Sequence, residues 1–495
     1  MARRKPDPER RERLLKELRP HWDSLELPLV ARQAIERLED PETRIVIAGQ
    51  QPALWGGPLL GISKVLSVIA LADQLEEAGI PTIPLFWVAD DDHDGSELEP
   101  GTFCSGKTPG NPHVEGRRPL YDLRHRQLPD ERLAALSDAI GSAPHAAPAM
   151  ALAGSAISSG PAAEFISLLS LLLTETPWLP VVPRWFRNLQ RPIVERAIRQ
   201  SGQFRELVAE ACREQETLGI PAPVPVPREE PIFVIDDDGL RRRPHQIERP
   251  ITEILSADHG SISPDALLRT IVQDEVIDPA AVILGPTEFN YVIETRKVRQ
   301  QWGLSQPLWL PRPALRPIDA ERVEAIVAEG GERSRIVPGV TAADLMASEK
   351  ATTEARQIAV QGSALIERIE ELSVRDDANP ALQRRARRLA RTWRRQLAGL
   401  ENSIERNLDG GIEARRQRVD VLLEQLFPGG GEPERNRNLI DLIAQQGLAV
   451  IRIMRQTLFK ATRCWDGSVH EFDLNSAGES QSTFEPREEQ HDGQR

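Results

Sequence analysis

Apolar runs and polar breaks alternate early in the chain with the rhythm of a strand–helix–strand unit. Arg44–Ala48 is a short apolar run that fits a buried strand, and it breaks at once into Gly49-Gln50-Gln51-Pro52, followed by Gly56-Gly57-Pro58. Ile62, Val65, Leu66, Ile69, Leu71 and Leu75 then supply an apolar helix face over about Gly61–Glu77. After Gly79-Ile80-Pro81 a second strand is expected over Thr82–Ala89, ending in Asp90-Asp91-Asp92-His93-Asp94. In an open parallel sheet the ligand crevice lies outside the carboxyl ends of the strands, so both polar clusters fall on one rim.

Each cluster has its own chemistry. The glycines allow close approach of backbone to a ligand, and amides at a helix start favour anions, with Lys64 one turn inside. Four carboxylates around His93 cannot all ionise cheaply at close range; such a group suits acid–base work or a hard cation. A charge run of this kind is also what an ordinary solvated loop looks like.

The pattern recurs further on. Ile232–Ile235 reads as a strand turning at Asp236–Gly239, and Ser263-Pro264 opens a helix with serine as N-cap. Ala280–Leu284 is a further buried strand ending at Gly285-Pro286-Thr287-Glu288, before a helical pattern around Tyr291; Pro307–Arg312 is the strand after it. Glu288 and Arg269 could equally form an ordinary surface pair. Gly101–Thr108 satisfies G-x-x-x-x-G-K-[ST], but Pro100 precedes it and Pro109 and Pro112 follow, so it lacks the strand and helix a phosphate loop needs.

The carboxyl third is charged with a narrow apolar stripe. Leu382, Ala386, Leu389, Trp393, Leu397, Leu400 and Ile404 recur at three- and four-residue steps, the seam of a helical hairpin or coiled coil turning at Asp376–Pro380. One long helix is expected over Leu439–Leu458, and a polar tail beyond Asn475. The division expected is a core over 1–340 with insertions at about 95–260, an arm over 341–410, helices returning over 411–475, and a tail over 476–495.

Composition narrows the function classes. The 495 residues carry a formal net charge of -13, with 40% hydrophobic and 28% charged residues. No basic stripe interleaves with aromatics, which disfavours nucleic acid. No apolar run is long enough to span a bilayer and none opens the chain, so a cytoplasmic protein is expected. Cys104, Cys212 and Cys464 lack metal or disulfide spacing, and no metal site is expected.

These motifs resemble the BshC family of cysteine ligases, which add cysteine to glucosaminyl-malate in bacillithiol synthesis. The family's threonine-glycine-glutamine-glutamine loop, glycine-proline and lysine look like Ala48-Gly49-Gln50-Gln51, Gly57-Pro58 and Lys64. Its phenylalanine-tryptophan strand and glutamate-aspartate-histidine-aspartate run look like Phe86-Trp87-Val88-Ala89 and Asp91-Asp92-His93-Asp94. Its later block resembles Ser263-Pro264, Leu268, Arg269, Gln273, Gly285-Pro286-Thr287-Glu288 and Tyr291, and its leucine-phenylalanine-proline segment resembles Leu426-Phe427-Pro428 with Glu434-Arg435 and Asn438. Three departures stand out: Ala48 for threonine, Asp91 for glutamate and Thr287 for glycine.

The resemblance implies an α/β fold: a Rossmann-like parallel-sheet core with a C-terminal α-helical coiled-coil arm that forms a homodimer. It also implies a ligase joining the amine of glucosaminyl-malate to cysteine. His93 with Asp91, Asp92 and Asp94 would then be the catalytic group, with His93 as base. Gly49, Gln50, Gln51, Gly57, Pro58, Lys64, Arg269, Gln273, Gly285, Glu288 and Tyr291 would bind substrate or nucleotide. ATP is a plausible activator of the cysteine carboxyl group, although no nucleotide motif stands in a supporting context. A diverged nucleotide-dependent transferase on the same fold and a non-catalytic coiled-coil scaffold are the alternatives.

Overall fold

The computed structural model describes residues 6–109, 117–123, 128–158, 160–257, 259–345, 350–374, 379–463, 465 and 467–474. The chain divides into two compact units, one combining the residues up to Ile318 with those from Pro433 onward, the other spanning Asp319–Glu432.

The first unit is built on a five-stranded sheet of β1 (Arg44–Gln50), β2 (Thr82–Val88), β3 (Leu179–Val181), β7 (Ala281–Leu284) and β8 (Leu308–Pro311). Every pairing is parallel and the order is β3-β2-β1-β7-β8. Helices on both faces of a parallel sheet bury its strands all round, and all seven residues of β2 are buried, Pro84 and Trp87 included. Full burial of each large apolar side chain here stabilises by about 1.5–3 kcal/mol. The crossover helix Leu60–Glu77 joins β1 to β2; it is buried from Gly61 through Ala72 because the sheet lies on one side and the helix Ala449–Ala461 contacts it as well. β1 runs on to β2 in one direction while β7 lies on its other side. The gap between their carboxyl ends is therefore the topological switch point, where such sheets open a crevice.

A three-stranded antiparallel sheet, β4 (Ile232–Ile235), β5 (Arg241–Arg242) and β6 (Ile262–Pro264), stands apart from the main one, in the order β5-β4-β6. Its β4–β5 hairpin turns at the expected aspartates. Ser263 and Pro264 are strand residues, however, and do not open the following helix. The N-cap of Ala266–Ile277 is Asp265, whose Oδ1 accepts from the amides of Leu267 and Leu268 at 3.1 and 3.0 Å. A carboxylate satisfies two orphan amides better than a hydroxyl two residues upstream, an effect worth about 1 kcal/mol.

The last helix is also divided. It breaks at Gly447 (φ +76) into Leu439–Gln446 and Ala449–Ala461. Two further strands follow from long-range pairing: β9 (Ala314–Ile318) lies parallel to β10 (Val469–Asp473).

In the second unit the helices Lys350–Val374 and Pro380–Leu426 pack on each other. At Gly362 a Cβ would come within 2.8 Å of Leu397, so glycine permits that close approach. Arg394 donates to Glu370 at 2.7 Å across the pair. Ala386 is buried, whereas Leu382, Leu389 and Trp393 stay exposed. The expected turn residues Asp376–Ala378 and the polar tail lie outside the described residues.

Candidate active site at the switch point

A cavity of about 480 Å³ opens at the carboxyl ends of β1, β2 and β7. One wall is the glycine loop. Gly49 must be small, because a Cβ there would sit 3.0 Å from that of Trp87 on β2. Lys64, buried in the crossover helix, donates to the Gly49 carbonyl (2.9 Å), Gln50 Oε1 (2.8 Å) and Glu288 Oε1 (2.8 Å). An ammonium has three protons, and all three are committed here. Lys64 thus ties β1 to the start of the helix Pro286–Glu294, and its charge reaches a ligand only as a field. Glu288 Oε2 accepts from the Gly285 amide at 2.7 Å, capping that helix. Burial alone would raise the Glu288 carboxyl, but Lys64 holds it below the usual range.

Gly57 lines no part of this cavity and instead makes the turn. Its φ of 61° and ψ of -159° lie where side chains are strained, and a Cβ would fall 2.3 Å from that of Ala53. Gly57→Ala is expected to destabilise the protein by about 3 kcal/mol, strain and clash together, read from denaturant midpoints. Pro58 lines a neighbouring cavity of about 650 Å³, which shares Gln50, Gln51, Leu60 and Arg435 with the first. Asn438, fully buried, holds the turn by donating to the carbonyls of Trp55 (3.2 Å) and Pro100.

The second wall is the acidic run after β2. Asp92 accepts from Gln51 Nε2 (2.7 Å), the His93 amide (2.7 Å) and Arg241 Nη1 (3.1 Å). Burial would raise its carboxyl group, but the Arg241 charge and the bond from the His93 amide hold it far below the usual range. His93 Nδ1 lies 3.0 Å from Arg241 Nη1 and 3.4 Å from Asp92 Oδ1. Asp91 pairs with Arg187 at 2.6 Å. Asp94 is exposed and does not line the cavity.

Asp90, fully buried beside Asp91, binds Arg184 Nε at 2.9 Å and leaves Oδ1 without a partner. Burial, then repulsion from Asp91, pushes its carboxyl up to about 7. The folded state then holds a proton that the unfolded chain releases near pH 4, so this group's contribution falls as pH rises from about 4 to about 7. Asp90→Asn is expected to flatten that part of the stability–pH curve, measured by denaturation at each pH.

The third wall carries Arg269, whose Nη2 donates to the Tyr291 hydroxyl at 2.9 Å. Burial pushes the Tyr291 phenol up to about 12. Arg269 and Glu288 hydrogen-bond to different groups, Tyr291 and Lys64, and meet each other only through the attraction of their charges. Gln273 is buried behind this wall and does not reach the main cavity. Of the three departures, Ala48 is buried inside β1, while Asp91 and Thr287 line the cavity.

Several site residues escaped the sequence reading. Arg241 and Arg243 flank the Phe233 ring, with guanidinium carbons 3.9 and 4.0 Å from its centroid. Both line the cavity, as do Arg312 and Arg435. The signal was the Arg241-Arg242-Arg243 run after a turn, since strand alternation puts 241 and 243 on one face. Lys107, from the rejected phosphate-loop match, pairs at the surface with Asp138 at 2.6 Å. Among the described residues no cluster of His, Cys, Asp and Glu is arranged to hold a metal ion, and no helix is long and apolar enough to cross a membrane.

The family model described as "Bacillithiol biosynthesis BshC, N-terminal Rossmann-like domain" matches residues 1–313. The chain belongs to the BshC family. Its similar relatives include proteins named "Putative cysteine ligase BshC" from Solibacter usitatus and Chlorobaculum tepidum. The first is 26% identical, the match covering 84% of this chain and 82% of the relative. The second is 25% identical, covering 86% and 83%. A third, from Thermus thermophilus, is 28% identical over 60% of this chain and 61% of its own length. BshC membership accounts for the Rossmann-like sheet, and the matched span contains every wall residue of the cavity except Arg435.

Proposed function

We propose that this protein is a cysteine ligase of bacillithiol biosynthesis, joining the amine of glucosaminyl-malate to the carboxyl group of cysteine. The observation that carries this reading is the switch-point cavity of a BshC-family chain, with an imidazole, a firmly ionised carboxylate and several guanidinium groups on its walls. Arg243 and Arg269 offer charge to the malyl carboxylates. Direct condensation of a carboxylate with an amine is unfavourable in water, so the carboxyl group arrives activated through a cosubstrate, for which ATP is the candidate. The amine lone pair forms the C–N bond as the carbonyl pair moves onto oxygen. That pair returns when the bond to the activating group breaks, the activating group keeps the bonding electrons, and the amine proton passes to water.

The test is thiol profiling of a strain lacking the gene, with and without complementation. Loss of bacillithiol with accumulation of glucosaminyl-malate supports the assignment; an unchanged thiol pool overturns it.

The helical pair supports a dimeric form. Leu382, Leu389 and Trp393 are exposed at steps of seven and four on one helix, the spacing of a coiled-coil face for a second copy of the chain. Sedimentation of Leu389→Glu/Trp393→Glu should show monomer where the parent protein shows dimer.

A further inference from the structure

The environment of His93 carries more than a polar contact. Arg241 is held by five fixed interactions: Nε donates to Ser263 Oγ (3.1 Å), Nη2 to the Pro264 carbonyl (3.2 Å), Nη1 to Asp92 Oδ1 (3.1 Å), its amide to the Arg117 carbonyl (2.8 Å), and its plane lies on Phe233. The guanidinium therefore cannot swing aside. Its remaining Nη1 proton points at His93 Nδ1 from 3.0 Å. Arginine has donors only, so this contact requires a lone pair on Nδ1. The competing arrangement, Nδ1–H to Asp92, is longer at 3.4 Å, and that oxygen already accepts from the His93 amide and from Arg241. A proton on Nδ1 would also face the N–H of Arg241 head-on.

We propose that Arg241 is a positioning residue that locks His93 in its Nε2–H tautomer, so that His93 meets the substrate as a hydrogen-bond donor and not as a base. Among the described residues Nε2 has no protein partner, and the ring lines the cavity. A donor there matches the oxygen that gains charge when an amine attacks an acyl carbon. The identity of that oxygen rests on the ligase reading; the tautomer does not. The sequence alone suggested His93 as proton acceptor, and the buried arginine reverses its role.

The test uses the full-length protein with ¹⁵N-labelled histidine, the His93 signals being assigned by their loss in His93→Gln. The expected spectrum has Nδ1 in the unprotonated range and Nε2 in the protonated range. In Arg241→Met, proton density should move onto Nδ1. Turnover gives the second readout. Glutamine keeps an N–H donor but cannot act as a base, so His93→Gln should retain kcat within about tenfold of the parent while His93→Ala falls about 10²–10³-fold. A protonated Nδ1 in the parent protein, or a His93→Gln variant as slow as His93→Ala, overturns the proposal. The spectrum needs no turnover, so a protein that fails to ligate cysteine would sink the functional reading while the tautomer is still decided.

Discussion

His93→Ala should lower kcat for cysteine addition by about 10²–10³-fold, the usual cost of removing one donor from a developing oxyanion. The side chain is partly exposed to the cavity and meets Phe233 in a tilted contact at 5.7 Å between centroids. The thermal midpoint should therefore move little. Product formation from cysteine and glucosaminyl-malate, followed by mass spectrometry, measures the first effect, and a melting curve the second. A folded alanine variant with the parent kcat would remove this ring from the reaction.

The second large effect concerns stability. Lys64→Met keeps the side-chain length but strips Glu288 of its counter-ion inside the site. Breaking a buried pair from one side costs about 3–5 kcal/mol, because the surviving charge is left without compensation. Adding Glu288→Gln should recover part of that loss, a coupling of about 0.5–3 kcal/mol for residues in direct contact. Denaturant midpoints of the two single variants and the double variant close the cycle. The pH sign follows from Glu288, whose carboxyl is held low in the folded protein. Its contribution is complete above the ordinary carboxylate range and fades as pH falls below it. Lys64→Met should lose that acid-side dependence. Strictly additive single effects would show that the two groups act independently.

The legible parts of this molecule were those with long, periodic apolar patterns. β1, the crossover helix and β2 came within two residues of their observed ends, because a buried parallel sheet demands continuous apolar runs and its helix a continuous face. The clusters at Gly49–Gln51 and Asp90–His93 shared a rim for the same topological reason. Less was visible where structure depends on partners distant in sequence. β3 has three residues and exists because β2 offers it an edge; β10 pairs with β9 across the entire second unit. At the site, acidic and glycine residues drew notice while arginines other than Arg269 did not, since they are scattered through the chain and only the fold selects Arg241 and Arg187. Lys64 shows a subtler limit. Its position was legible, but the saturation of its three protons depended on Gln50 and Glu288 arriving together.

Asn438 also fixes an order of events in the cell. The glycine turn at residues 55–57 leaves the ribosome early, whereas the amide that clamps it follows the whole second unit. At 5–20 residues per second, that gap lasts about 20–75 s. Throughout it the nascent chain holds its sheet-forming segments without the buried side chain that gives the loop its shape, so a newly made molecule acquires its cavity wall only after the long helices have been synthesised. Ribosome stalling within those helices would leave the loop without its clamp for as long as the stall lasts.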